Sequence, residues 1–127
     1  MSENGKDNKI DAPAKILVVD DEPGIRDMLS YELSSHNYRV VTAVNGEDAL
    51  EKIRKEKFQL VISDVKMPRM DGIVMLEAIK KIAPDVEVIM STGFGTIETA
   101  VSTMKKGAYD FIRKPFDLDE ILALIEK

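Results

Sequence analysis

The stretch KILVVDDEPGIR at residues 15–26 runs from an apolar segment into two adjacent aspartates and a glutamate, then through Pro-Gly toward a new apolar position. The run Ile16–Val19 is rich in valine and isoleucine and too short for a stable helix. It is apolar on both faces, as a buried parallel strand must be. Pro23 suits the first turn of a following helix, and Ile25, Met28, Leu29 and Leu33 recur at helical spacing on one face. Strand, acidic turn and amphipathic helix make one βα unit.

The alternation recurs five times. Strands are expected at Ile16–Val19, Arg39–Ala43, Leu60–Ser63, Val86–Met90 and Tyr109–Ile112, with helical stripes between them. Ile97, Ala100, Val101 and Met104 form one face of the fourth helix, and Ile97, Val101 and Met104 are expected to be core. Leu118, Ile121, Leu122 and Ile125 repeat the pattern in the fifth. Gly46 and Gly72 fall where the second and third helices start and turn backbone is needed, and Gly107 closes the fourth helix. Right-handed crossovers place such helices on both faces of a five-stranded parallel sheet, which makes an α/β, doubly wound (βα)5 domain.

A chain of 127 residues suits one such domain. Residues 1–13, polar apart from Ile10, are expected to be a disordered tail, and residues 14–127 the domain. With 44% hydrophobic and 32% charged residues the composition is that of a globular chain, not of a disordered or collagen-like one. The absence of cysteine excludes disulfides, thiolate zinc sites and cysteine nucleophiles. A net charge of −5 disfavours direct nucleic-acid binding by this segment. No apolar run approaches the roughly 20 residues of a membrane span, and no secretory signal pattern opens the chain, so a cytoplasmic location is expected. The single histidine, His36, reads as a surface residue at a helix end.

Ligands of open parallel sheets bind beyond the carboxyl ends of the strands. At those ends stand Asp20 and Asp21 with Glu22 behind them, Asp64, Ser91 with Thr92, and Lys114. One acidic residue in such a place reads as a solvated loop residue or a helix N-cap, a role Asp20 or Asp21 could fill before Pro23. Several converging with a lysine and a hydroxyl read as a site. Close carboxylates repel, and an all-oxygen set favours a hard divalent cation, Mg²⁺ first. Asp64 could then attack a phosphoryl group, Thr92 donate to one phosphoryl oxygen, and Lys114 pair with another. The glycine-containing loop at residues 93–95 lacks the spacing of a P-loop or dinucleotide fingerprint.

Four segments, ILVVDDEPGIR, LVISDVKMPRMDG, VIMSTGFGT and GAYDFIRKPF, occur in order at these strand ends. Together they resemble the receiver domain of response regulators, from about Lys15 to Glu126. The resemblance implies a flavodoxin-like fold and a phosphorylation-activated switch of a two-component system rather than a turnover enzyme. Asp64 would accept phosphate from the phosphohistidine of a histidine kinase or histidine phosphotransfer protein. Mg²⁺ would be held directly by Asp21, Asp64 and the backbone carbonyl of Lys66, with Asp20 acting largely through water. The resemblance also makes Thr92 the switch hydroxyl, Phe111 the aromatic switch, Lys66 and Phe94 rate-tuning positions, and the Lys114–Pro115 bond cis.

The wording GFGTIETAV and KKGAYDFIRKPFDLDEIL is similar to nitrogen-regulator receivers, which precede AAA+ ATPase and DNA-binding domains. Hybrid histidine kinases carry similar segments. A receiver excised from a longer protein is therefore expected, with its output domain missing and with homodimer or output contacts on the face of helix four, strand five and helix five. An aspartyl-phosphate hydrolase of the haloacid-dehalogenase type is disfavoured because Asp20 and Asp21 are adjacent instead of spaced Asp-x-Asp. A flavin binder is disfavoured by the acidic first loop. A receiver that never carries phosphate is disfavoured by the complete set of site residues.

Overall fold

Five parallel strands stand in the order β2-β1-β3-β4-β5, in a computed structural model that describes residues 14–67, 69–93 and 97–126. The expected tail at residues 1–13 and the expected tuning residue Phe94 lie outside the described residues. The strands are β1 Lys15–Val19, β2 Arg39–Ala43, β3 Leu60–Asp64, β4 Glu87–Thr92 and β5 Asp110–Arg113. Between and after them run α1 Pro23–Ser35, α2 Gly46–Lys55, α3 Gly72–Ile82, α4 Ile97–Lys105 and α5 Leu118–Ile125. The (βα)5 order and the two-faced sheet match the sequence reading.

Alternation along the strands builds two cores. Ile16, Val18, Ile62, Ile89 and Ile112 face Leu29 and Leu33 of α1 and Ile121 of α5. Leu17, Val19, Val61, Val88 and Met90 face the buried residues of α2 and α3. β1, β3 and β4 are buried almost throughout, while the edge strands β2 and β5 are only partly covered.

The helix starts are locally encoded. Asn45, Asp71 and Asp117 cap α2, α3 and α5, their side chains accepting backbone N–H bonds at 2.8, 2.7 and 3.0 Å. Glu22 is the N-cap of α1 without a side-chain bond, and Pro23 occupies the first turn. Gly107 follows α4 with φ +104°, the left-handed conformation that ends a helix. His36 caps the end of α1, its Nδ1 3.0 Å from the Glu32 carbonyl oxygen, the helix-end position expected. Among the described residues no helix is long and apolar enough to cross a membrane.

The expected strand ends and the expected burial of the α4 stripe are corrected, β3 running through Asp64 instead of ending at Ser63. β4 continues through Ser91 and Thr92 instead of ending at Met90, and β5 reaches Arg113. The polar residues keep the ladder, Ser91 opposite Asp64 and Ile112, and Thr92 opposite Arg113, so hydrogen bonding outlasts the apolar pattern. Ile97, Val101 and Met104 are not core: they are 84%, 45% and 45% exposed. α4 lies against the edge strand β5 and buries Thr103, about 100° around the helix from Met104, so its apolar stripe faces outward. Met28 is also exposed, whereas Leu29 and Leu33 are buried.

Candidate functional site

The parallel register of β1, β3 and β4 brings their carboxyl ends side by side, and the site grows there. Asp20 follows β1 directly, its backbone N–H donating to Ala43 of β2 at 3.2 Å. Asp64 ends β3, on the row of Leu60 and Ile62, and Thr92 ends β4. The backbone N–H of Lys114 donates to the Thr92 carbonyl at 3.0 Å, carrying the ladder one residue past β5. Asp20, Asp64 and Thr92 are buried, at 2%, 8% and 2% exposure, and Asp21 is open to solvent.

One ammonium faces three carboxylates. Lys114 Nζ lies 2.9 Å from Asp20 Oδ2, 3.1 Å from Asp64 Oδ2 and 3.6 Å from Glu22 Oε1. Burial pushes the Asp64 carboxyl above its ordinary value, the neighbouring Asp20 charge adds to this, and the Lys114 hydrogen bond only partly opposes it. For Lys114 burial works against the charged form, yet the hydrogen bonds it donates to Asp20 and Asp64 win and its pKa is raised. Asp64 is thus an uncomfortable anion beside a firmly charged lysine.

The donor set fits a hard divalent cation. One oxygen from each of Asp20, Asp21 and Asp64 lies within 4.8 Å of the others, with no histidine or cysteine in the group among the described residues, which suits Mg²⁺ with several waters. Lys66 contributes backbone at the same place, its N–H donating to Asp64 Oδ1 at 3.3 Å. A cleft of about 370 Å³ opens over Asp21, Asp64, Lys66, Thr92 and Lys114. That space admits a phosphoryl-sized group against the buried Asp64.

Neither Asp20 nor Asp21 caps α1, so the helix-cap alternative fails. Asp20 Oδ1 instead accepts from the Glu22 N–H at 3.0 Å, which orients the carboxylate toward Lys114. Of the side chains expected at the site, those of Asp20, Asp21, Asp64, Lys66, Thr92 and Lys114 converge, whereas Phe94 lies outside the described residues. Phe111 stands farther off, half-buried against the α2/α3 core and opposite Met90, on the same face of the sheet as Thr92. The Lys114–Pro115 bond is cis.

Three contacts at the site escaped the sequence reading. Arg26 donates through Nη1 to the Asp20 carbonyl at 2.7 Å, and its position one helical turn from Glu22 was the available signal. Glu22 is a third carboxylate on Lys114. Gly72 serves close approach as well as turning, because a Cβ there would stand 2.4 Å from the Asp64 carbonyl oxygen.

Residues 16–126 match the response regulator receiver domain family. Transcriptional regulatory protein GlrR of Escherichia coli (strain K12) is 40% identical over 114 residues, which are 90% of this chain. Those residues are 26% of GlrR, so the chain spans about a quarter of that relative's length. The solution structure of the beryllofluoride-activated NtrC4 receiver domain dimer is similar with a TM-score of 0.84 at 41% identity, covering 88% of this chain and 93% of that one. A response regulator from Burkholderia pseudomallei, solved with a phosphorylated aspartic acid, calcium ion and citrate, has a TM-score of 0.83 at 30% identity, covering 87% of this chain and 65% of that one.

Proposed function

The chain belongs to the response regulator receiver domain family, and on that premise we propose that it is a phosphorylation-activated switch whose acceptor is Asp64. The observation that carries the reading is the buried Asp64 carboxylate, 3.1 Å from Lys114 Nζ and within 4.8 Å of oxygens of Asp20 and Asp21. A carboxylate oxygen of Asp64 attacks the phosphorus of a phosphohistidine, the phosphorus–nitrogen bond breaks, and the imidazole leaves with the electron pair and takes up a proton. The donor is a histidine kinase or histidine phosphotransfer protein in the cytoplasm. Asp21, Asp64 and the Lys66 carbonyl would hold Mg²⁺, with Asp20 acting through water. When bound, Mg²⁺ supplies the positive charge that offsets the incoming phosphoryl group. Lys114 holds one phosphoryl oxygen and Thr92 donates to another.

The transfer adds charge at a buried point, which draws Thr92 and Lys114 inward and moves the backbone after β4 together with Phe111. The readout is the α4/β5/α5 face. Its support is the outward apolar stripe of Ile97, Val101 and Met104, a surface that a second copy or an output domain would cover. Similarity to GlrR and to the NtrC4 receiver favours residues 14–127 as the receiver of a transcription regulator over that of a hybrid kinase. Lys66 sits at the cleft mouth, in a place to set how fast the acyl phosphate meets water.

The test is intact mass after incubation with Mg²⁺ and acetyl phosphate. A metal-dependent gain of one phosphoryl group, absent in Asp64→Asn, is the expected outcome. Equal gain by Asp64→Asn, or sustained turnover of an added phosphomonoester, contradicts the reading.

A further inference from the structure

The loop from β3 to α3 carries Lys66, and it is fastened at three points. Beside Asp64, the Gly72 N–H donates to the Val65 carbonyl at 2.8 Å, while the glycine packs directly on the Asp64 backbone. Arg69 grips one Glu47 oxygen with two guanidinium nitrogens, Nε at 2.9 Å and Nη2 at 2.8 Å. Met70 lies over Gly46, where a Cβ would stand 2.8 Å from its Sδ. Gly46 and Glu47 are the first two residues of α2, a helix start already anchored by Asn45.

Arg69 also adopts φ +73°, a left-handed conformation unfavourable for a residue with a Cβ. Such a conformation persists only where surrounding contacts hold it. Here the contacts run to another element, 22 residues away in the chain. The loop is therefore tied to α2 as well as to its own strand and helix.

We propose that Arg69 and Glu47, with Met70 seated on Gly46, clamp the β3–α3 loop to the start of α2 and thereby position the Lys66 backbone toward the divalent cation. This inference rests on the reading of the Asp64 cluster as a Mg²⁺ site. Arg69 and Glu47 are positioning residues, since they act through the loop between them and the cleft. Both side chains are well exposed, at 66% and 55%, so replacing them leaves the core intact and the effect is modest.

The experiment uses the whole chain and needs no phosphoryl donor. Mg²⁺ is titrated while the backbone amide resonances of Asp64 and Lys66 are followed, in wild type, Glu47→Gln, Arg69→Gly and the swapped pair Glu47→Arg/Arg69→Glu. Each single variant is expected to bind Mg²⁺ about two- to fivefold more weakly, the range of an exposed ion pair. Arg69→Gly should show this while its urea midpoint stays level or rises, because glycine adopts the left-handed backbone freely. A role confined to stability would not separate the two readouts. The swapped pair should restore affinity. Wild-type binding with equal affinity in every variant overturns the clamp alone, as does weakening that merely tracks lost stability. A wild type that binds no Mg²⁺ overturns the metal-site reading and the clamp with it.

Discussion

The two edges of the sheet use the same chemistry to opposite ends. At the amino edge, Lys15 pairs one to one with Glu56, and Lys80 donates to the Pro84 and Val86 carbonyls at 3.0 and 2.8 Å. At the carboxyl edge, Lys114 faces Asp20, Asp64 and Glu22 at once. The Lys15 hydrogen bond holds the Glu56 carboxyl below its ordinary value, whereas burial leaves Asp64 above it despite Lys114. A pair balanced in itself has no need of a third partner. A buried cluster with carboxylates in excess is receptive to a cation and then to phosphoryl chemistry.

The largest expected contrast comes from removing the ammonium at each edge. Lys114→Met strands two buried carboxylates and should lower unfolding free energy in metal-free buffer by about 3 kcal/mol. Lys15→Met should cost less than about 1 kcal/mol, because its partner is well exposed. Urea denaturation measures both, and equal losses would break the comparison.

Glycines sharpen it next. Gly72→Ala drives a Cβ into backbone, with the Asp64 oxygen at 2.4 Å and the Val65 Cα at 2.8 Å, and should cost about 2 kcal/mol. Gly107→Ala meets only the flexible Lys80 stem, so its cost is conformational, about 1 kcal/mol. Only the first should also weaken Mg²⁺ binding, because only there is the Asp64 backbone displaced.

The smallest effect is one of sign. Asp64 has a raised folded pKa, so its contribution to stability is present below the ordinary carboxylate range and is lost as pH rises through the raised value. Glu56 has a lowered one, so its contribution is present above that range and is lost as pH falls through the lowered value. Across about pH 3 to 7, Asp64→Asn in metal-free buffer should therefore gain on wild type as pH rises, while Glu56→Gln should fall behind. Parallel slopes in urea titrations at several pH values would remove the distinction.

Most of the fold was legible in the sequence because buried parallel strands announce themselves by being apolar on both faces, as Ile16–Val19 and Leu60–Ser63 are. The converging charges were legible for a related reason: strand ends are where an apolar run stops, and Asp20, Asp64 and Lys114 stand within two residues of three such stops. The outward face of α4 was not. Periodicity shows that Ile97, Val101 and Met104 share a side of the helix, but only the position of α4 on the sheet edge decides whether anything covers that side. Gly72 against the Asp64 carbonyl, Arg26 on the Asp20 carbonyl and Arg69 on Glu47 were equally hidden. Each is a contact between elements, and local pattern carries no record of what lies opposite.

The central claim is that the carboxyl-edge cluster makes Asp64 a phosphoryl acceptor, and locating the modified atom tests it most directly. After Mg²⁺-dependent phosphorylation, borohydride reduction converts an acyl phosphate to an alcohol, and peptide mapping then reads which residue changed. The account predicts homoserine at position 64 and nowhere else. Reduction at Asp20 or Asp21, or phosphate on a hydroxyl that resists borohydride, would contradict it.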